Sequence, residues 1–463
     1  MSVQTILNRV DAEVDTYIEQ LAALVRIPSI SAGADRDAAP DVARAVDLLV
    51  EEFTRLGLRT EKIRPSSAAN PLVVAHSAPF AHERATVLIY GHYDVQGVDN
   101  PRSAWDEDPF AAVQRDGHLI GRGASDNKGP TFAHIKALDA ILGAGFDLPV
   151  NVVFLIEGEE ECGSKAIGHY IAAGGLDAFK PITCTVISDT SMYGPNQPSL
   201  TLGLRGIVFT EVTLRGPRQD VHSGLFGGVI HNPNHLLVRA LSALFDEQGR
   251  IAIPGFYDDV CPLSTRERDL YRRLPVDEES FRQNLGVAEL IGEPDYSLLE
   301  RRWTRPTLDV NFLEGGSPRT VIPARATAAL SCRLVPDQDP ARIESAIQEL
   351  IGSRLPAGAS VEFGGAHHSP PFYLDPDHPL VQPTLNAMRT GFGIDPVLGR
   401  EGGSIPIVAD IERHTEAPVL LVGLGQITDN WHGPNERFCL KDFHRGIRTS
   451  VALLHEIGSL GVA

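Results

Sequence analysis

Hydrophobic periodicity divides the chain into two kinds of segment. Apolar residues recurring every three to four positions predict a helix over Met1 to Arg26, with Ile6, Val10, Val14, Ile18, Leu21 and Leu24 on one face. A turn, Arg26 to Ser31, separates it from a second helix, Pro40 to Leu56, striped by Val42, Ala45, Val46, Leu49 and Phe53. Short uninterrupted apolar runs predict buried strands instead: Leu72 to Ala75, Thr86 to Tyr90, Val150 to Ile156 and Cys184 to Ser188. Thr131 to Leu142 and Ser164 to Ala173 read as helices between them. Strands alternating with helices predict an α/β fold.

The apolar runs give way to polar residues at their carboxyl ends. Thr86 to Tyr90 feeds into Gly91-His92-Tyr93-Asp94, and Gly117 to Ile120 precedes Gly121-Arg122-Gly123-Ala124-Ser125-Asp126-Asn127-Lys128-Gly129. The strand Val150 to Ile156 ends in Glu157-Gly158-Glu159-Glu160-Glu161-Cys162-Gly163-Ser164, and Cys184 to Ser188 ends in Asp189. Four strand ends, each about one strand-helix-strand unit apart, thus predict His92, Asp126, the glutamates and Asp189 at one edge of one sheet, where open α/β sheets place ligands. Gly121-x-Gly123 is not a dinucleotide fingerprint, because Asp126 occupies the third glycine position and would repel a pyrophosphate. Four glutamates crowded after a buried strand repel one another and cost desolvation. Alone they read as a solvated acidic turn; with His92, Asp126, Asp189 and the later His432 they call for cations.

Beyond Asp189 the pattern changes. Gly206 to Arg215, Thr307 to Leu313, Ala324 to Val335 and Ser360 to Gly364 read as strands, with helices over Asn232 to Phe245 and Pro340 to Ile351. That β-α-β-β-α-β order predicts a ferredoxin-like layer, interrupted by a long polar stretch from Tyr257 to Arg305. The chain then divides into residues 1–204, an inserted domain 205–370, and a return over 371–463, with His368-Ser369-Pro370-Pro371 at the joint. In the last part, Leu380 to Thr390 is a helix, Val419 to Val422 a strand and Lys441 to Gly458 a helix.

Composition narrows the function. A chain of 463 residues with 43% hydrophobic and 22% charged residues is ordinary for a globular enzyme of two or three domains. No apolar run reaches membrane-spanning length, and Met1 to Arg26 lacks the basic and apolar regions of a signal peptide, so a cytoplasmic protein with no membrane partner is expected. A net charge of −19 argues against a nucleic-acid partner. Five scattered cysteines with no Cys-x-x-Cys pair predict reduced thiols, neither a disulfide framework nor a zinc knuckle. Histidine and carboxylate donors without thiols suit zinc, manganese or cobalt. Two such ions, on the order of 3.5–4 Å apart, polarise a carbonyl and acidify a bridging water, whose proton a spare glutamate takes. One of Glu160 and Glu161 can ligate while the other stays free; spacing alone does not say which.

As a set, Gly91-His92-Tyr93-Asp94, the 121–129 and 157–164 motifs, Ser188-Asp189 and His432 resemble the di-metal aminoacylase and carnosine-dipeptidase superfamily of metallopeptidases, in its dipeptidase branch. The resemblance implies an α/β, mixed-sheet di-metal catalytic domain with an inserted ferredoxin-like α+β lid and dimerisation domain. It implies that His92, Asp126 and Asp189 hold one ion and Asp126, Glu161 and His432 the other. Glu160 becomes the general base, Asp94 orients His92, Glu157 supports the strand end and Glu159 is left solvated. A cis bond is implied at Asp126-Asn127. His222, in Asp220-Val221-His222-Ser223-Gly224, is implied to serve the neighbouring subunit's site by steadying the oxyanion, hence a homodimer. Substrate contacts are implied for Arg333 with a terminal carboxylate, Glu401 with a free α-ammonium, Gly403 and Ser404 with the carboxylate end, and Thr320 and His367 from the other subunit; His367 and His368 are adjacent and the resemblance does not separate them.

The resulting expectation is a cytoplasmic, homodimeric dipeptidase with two divalent ions per subunit, Zn or Mn with Co acceptable, cleaving small unblocked peptides through a metal-bridged water and a glutamate base. Two alternatives accompany it: a deacylase of N-acyl amino acids, and a non-catalytic, metal-stabilised binding protein. The intact Glu160 speaks against the last, since a binding protein needs no spare base.

Overall fold

A computed structural model describes residues 2–31, 39–99 and 101–460, so Met1 of the expected first helix lies outside the described residues. The chain forms two compact units: residues 1–202, 374–399 and 410–463 make one, and residues 203–373 with 400–409 the other. The short segment 400–409 groups with the second unit, although the sequence placed it in the returning stretch.

The first unit is built on a mixed sheet. Its strands lie in the order Arg59–Ile63, Leu72–His76, Asn151–Glu157, Thr86–His92, Cys184–Ile187, Val419–Val422 and the start of Ser199–Leu204. Asn151–Glu157, Thr86–His92, Cys184–Ile187 and Val419–Val422 run parallel, and the flanking pairings are antiparallel. These four strands are buried along their whole length, which is why their sequences are apolar runs and not alternating patterns. His92 pairs in register with Glu157, so both strands deliver polar residues at the same edge. The helix Gly129–Gly143 is buried from Gly129 to Ile141 and carries no wet face. Its Thr131 fills the space that a side chain on Gly91 would need, which lets the helix start press against the strand end that carries His92.

A separate three-stranded sheet corrects one expectation. His118–Ile120 belongs to it, between Val113–Arg115 and Arg437–Cys439, and not to the main sheet. Asp126 therefore does not sit at a main-sheet strand end; it lies in the turn Ala124–Lys128 and approaches from the side. The pairing of Arg437 with Ile120 draws the loop that holds His432 alongside that turn.

The second unit contains a four-stranded antiparallel sheet in the order Thr307–Glu314, Arg325–Leu334, Gly206–Arg215, Ser360–Ser369. Helices Pro233–Ser242 and Pro340–Ser353 cover one face through Val208, Val212, Leu214, Leu236, Leu330 and Ile347. The stretch Tyr257 to Arg305, expected as a polar interruption, holds three helices, Thr265–Arg272, Glu278–Leu285 and Leu298–Thr304. Two of them start in capping boxes, Ser264 with Glu267 and Ser297 with Glu300, which offset the weak propensity of such short polar segments. The strand expected to end at Gly364 continues to Ser369 across a bulge, and so carries both His367 and His368. Pro406–Thr415 and Arg59–Ile63 are elements the hydrophobic pattern did not indicate.

Candidate metal centre

His92 ends its strand with no solvent exposure. Its Nδ1 lies 3.0 Å from the main-chain oxygen of Asp94 and 3.4 Å from the Asp94 carboxylate. A carbonyl can only accept, so Nδ1 carries the proton and Nε2 is left facing inward. Nε2 lies 3.1 Å from Asp126 Oδ1 and 3.7 Å from Asp189 Oδ1. The other oxygen of Asp126, Oδ2, is 3.0 Å from His432 Nε2, and that nitrogen is 3.3 Å from Glu161 Oε2. Asp126 thus divides its carboxylate between two histidines. Among the described residues two groups have donor atoms close enough to share an ion: His92 with Asp126 and Asp189, and Asp126 with Glu161 and His432.

The glutamate stretch separates by position. Glu161 belongs to a donor group, and its Oε2 also accepts from Gln96 at 2.8 Å; Glu160 belongs to neither group. Both sit in a short turn, Glu160–Cys162, whose amides are held by Asp94: Glu160 N–H donates to Oδ1 at 3.3 Å and Glu161 N–H to Oδ2 at 3.1 Å, with the Ser31 hydroxyl donating as well. Glu157 is fully buried and accepts from the Tyr90 and Ser164 hydroxyls at 2.8 and 2.9 Å. Glu159, expected to be solvated, instead accepts from the backbone N–H groups of Asn70 at 2.8 Å and Ala166 at 3.1 Å, and so fastens the turn to the helix Lys165–Ala172.

Burial governs the charges. It raises the carboxyls of Glu160 and Asp189, with neighbouring carboxylates adding to the effect. Glu161 is pushed up to about 7 by burial and then by Asp126. Burial also opposes ionisation of Asp126, yet hydrogen bonds from His432 and His92 hold its carboxyl below the usual range. Hydrogen bonds to Asp126 and Glu161 lift His432 to about 10. Among the described residues the positive side chains paired with Asp126, Asp189 and Glu161 are these two histidines. A dense carboxylate cluster whose countercharges are protons on imidazoles is one that divalent cations can occupy in their place, and oxygen plus imidazole donors suit them.

Further residues support the donor groups from outside them. Asn127 donates to Asp189 Oδ1 at 2.9 Å and to the Ser188 carbonyl at 3.0 Å, and accepts from Thr131 at 2.5 Å. The Asp126-Asn127 peptide is cis. Asn127 lies inside the 121–129 motif, whereas nothing in the spacing marks Gln96 or Asn70.

The second unit holds the remaining candidates. Arg333 pairs with Ile207 and His367 with Phe209, while Cys332 and His368 both pair with the core residue Val208. Side chains alternate along strands, so Arg333 and His367 share the sheet face away from the helices. His368 lies on the helix side, 3.7 Å from Glu344. Arg333 donates to the Ser404 hydroxyl at 2.8 Å, and that hydroxyl donates to the Arg205 carbonyl. Arg205 holds the same loop through its N–H to the Gly403 carbonyl at 3.1 Å and its Nε to the Gly402 carbonyl at 2.9 Å. Glu401 beside them is half-buried. His222 is exposed, and its Nδ1 accepts from Gly224 N–H at 2.9 Å. Thr320 adjoins it, its carbonyl accepting from Ser223 N–H at 3.0 Å.

Histidines and carboxylates gathered from the strand ends of a mixed α/β sheet and from the turn and loop beside it form a site suited to metal-dependent hydrolysis. Residues 88–456 match the profile of peptidase family M20/M25/M40, and the chain belongs to that family. It is similar to the Cys-Gly metallodipeptidase of Schizosaccharomyces pombe, with 34% identity over 99% of both chains. The solved structure of the di-peptidase Dug1p from Saccharomyces cerevisiae superimposes with a TM-score of 0.83 at 29% identity, covering 99% of each chain. That of human carnosine dipeptidase 1 gives 0.82 at 30% identity, again over 99% of each. The chain is an enzyme of the dipeptidase branch of these metallopeptidases.

Proposed function

We propose that the chain hydrolyses the peptide bond of small unblocked dipeptides with two divalent ions per subunit, zinc or manganese, cobalt being acceptable. The observation that carries this reading is the division of Asp126: one oxygen faces His92 and the other His432, while Glu160 stands outside both donor groups. His92, Asp126 and Asp189 would hold one ion, and Asp126, Glu161 and His432 the other. Ions bound there supply Lewis acidity toward a carbonyl and lower the pKa of water.

The chain's own groups do the rest. Glu160 acts as general base, taking a proton from the attacking water and returning it to the leaving nitrogen. Asp94 keeps His92 in the tautomer whose Nε2 faces the site and holds the glutamate turn. Arg333 and Ser404, already hydrogen-bonded to each other, receive the substrate's terminal carboxylate together with Gly403. Glu401 meets the α-ammonium. His222, Thr320 and His367 serve the partner subunit's site, which gives the second unit a lid and dimerisation role in a cytoplasmic homodimer. The relatives named for Cys-Gly and β-Ala-His dipeptidase activity support a free dipeptide as substrate.

A panel of free and N-acetylated dipeptides, assayed with Zn²⁺, Mn²⁺ and Co²⁺ on the wild type and Glu401→Ala, tests this. Free dipeptides should be preferred, and Glu401→Ala should cost them about 10- to 100-fold in kcat/KM, the worth of one charged hydrogen bond. Equal loss on acetylated substrates, or a wild-type preference for them, would make the enzyme a deacylase.

A further inference from the structure

The structure assigns a positioning role to Glu436, exerted with Arg122, in setting Asp126 and His432 against each other. Glu436 is completely buried, yet four donors converge on it. Its Oε1 accepts from the backbone N–H of Ser125 at 3.0 Å and of Asp126 at 3.1 Å. Its Oε2 accepts from Gly123 N–H at 2.9 Å and from Arg122 Nη1 at 2.7 Å. Arg122, also buried, sends its other terminal nitrogen to the main-chain oxygens of His432 at 3.1 Å and Gly97 at 3.3 Å. One carboxylate therefore grips the backbone of Asp126, and its guanidinium partner grips the backbone of His432.

The loop between them needs such a grip. Asn430, His432 and Asn435 all have positive φ, at 59°, 57° and 56°, a conformation that persists only where the surroundings enforce it. The far end of the loop is pinned to the same turn, with the Ser125 hydroxyl donating to Asp429 at 2.8 Å and Trp431 Nε1 donating to Ser125 Oγ at 3.0 Å. His432 is thus the middle of a segment fastened at both ends to residues 122–126. The residue types are specific to the task. Glutamine would offer one acceptor oxygen to four donors, and lysine cannot present separate nitrogens to Glu436 and to the His432 carbonyl. Neither Glu436 nor Arg122 belongs to a donor group.

The positioning role rests on the two-ion reading. The test uses the full chain stripped of metal and titrated with Co²⁺, monitored by calorimetry and visible absorption, for wild type, Glu436→Asp, Arg122→Lys and Glu436→Gln. The first two variants conserve charge, so a purely electrostatic role would leave both like wild type. The expected result is that each weakens one equivalent of Co²⁺, the one His432 would help to hold, by about 10- to 100-fold and changes the absorption of that ion, with a clearly smaller loss at the other equivalent, because Asp126 belongs to both donor groups and His432 to one. Should Glu436→Gln fail to fold, the charge-conserving pair decides. Wild-type binding of both equivalents in that pair, or equal weakening of both, overturns the positioning role alone. A wild-type chain that takes up no Co²⁺ overturns the metal reading itself.

Discussion

The Asp94 carboxylate accepts a hydrogen bond from the backbone N–H of Glu161 at 3.1 Å, across 67 residues of chain. The same side chain reaches Glu160 N–H at 3.3 Å, and its main-chain oxygen accepts from His92. Asp94 thus couples the histidine of one strand end to the glutamates of the next. Asp94→Ala should leave two partly buried amides without their acceptor and lower both metal content and kcat/KM, the latter about 10- to 100-fold. Elemental analysis and steady-state kinetics on the same preparation check it; unchanged metal content would restrict Asp94 to a structural part.

Glu160→Gln tests the division of labour within the glutamate stretch. It removes the proposed base but a member of neither donor group, so metal content should stay at the wild-type level while kcat falls about 10²- to 10⁴-fold. Loss of metal instead would make Glu160 a ligand.

The proposed sharing of the site between two subunits is tested with mixed dimers. His222→Ala and Glu160→Ala chains, each inactive alone, should regain up to about a quarter of wild-type activity per subunit when exchanged, because some heterodimers then contain one intact site. No recovery after demonstrated subunit exchange would place His222 outside the partner's site.

His134, which belongs to neither donor group, supplies a pH dependence of stability. It is buried, its nitrogens lie 2.9 Å from the Ser450 and Ser188 hydroxyls, and burial lowers it from 6.5 to about 4. The unfolded chain therefore takes up a proton below 6.5 that the folded chain refuses until about 4. Stability is fully present above 6.5 and is lost as pH falls toward 4, by about 3 kcal/mol from this one group. Chemical denaturation of wild type and His134→Asn across pH 7 to 4 should show a shallower fall in the variant; parallel curves would remove His134 as a contributor.

Much of the site's framework was legible in the sequence because parallel core strands are written as apolar runs, and the polar residues closing those runs stand out. His92, Glu157 and Asp189 were placed at one sheet edge on that ground. Asp126 joins them from a turn and not from a strand end. The run His118–Ile120 looks like any core strand, and its pairings with Val113–Arg115 and with Arg437–Cys439, the latter far along the chain, show that it belongs elsewhere. The helices between Tyr257 and Arg305 are written largely in polar residues without a long apolar stripe, and two capping boxes are the marks they leave in the sequence. The partners of Glu159 are hidden from the sequence because backbone donors such as Asn70 N–H leave no mark on residue identity. The faces of His367 and His368 needed the register across a bulge, which spacing does not provide.

Asp126 faces His432 across 306 residues, and the whole of the inserted sheet is encoded between them. A ribosome therefore releases the turn at residues 122–126 long before the glutamate that braces it. Throughout that interval the nascent chain carries Asp126, Glu161 and Asp189 without His432, so the second donor group is complete only when the last part of the chain has been made.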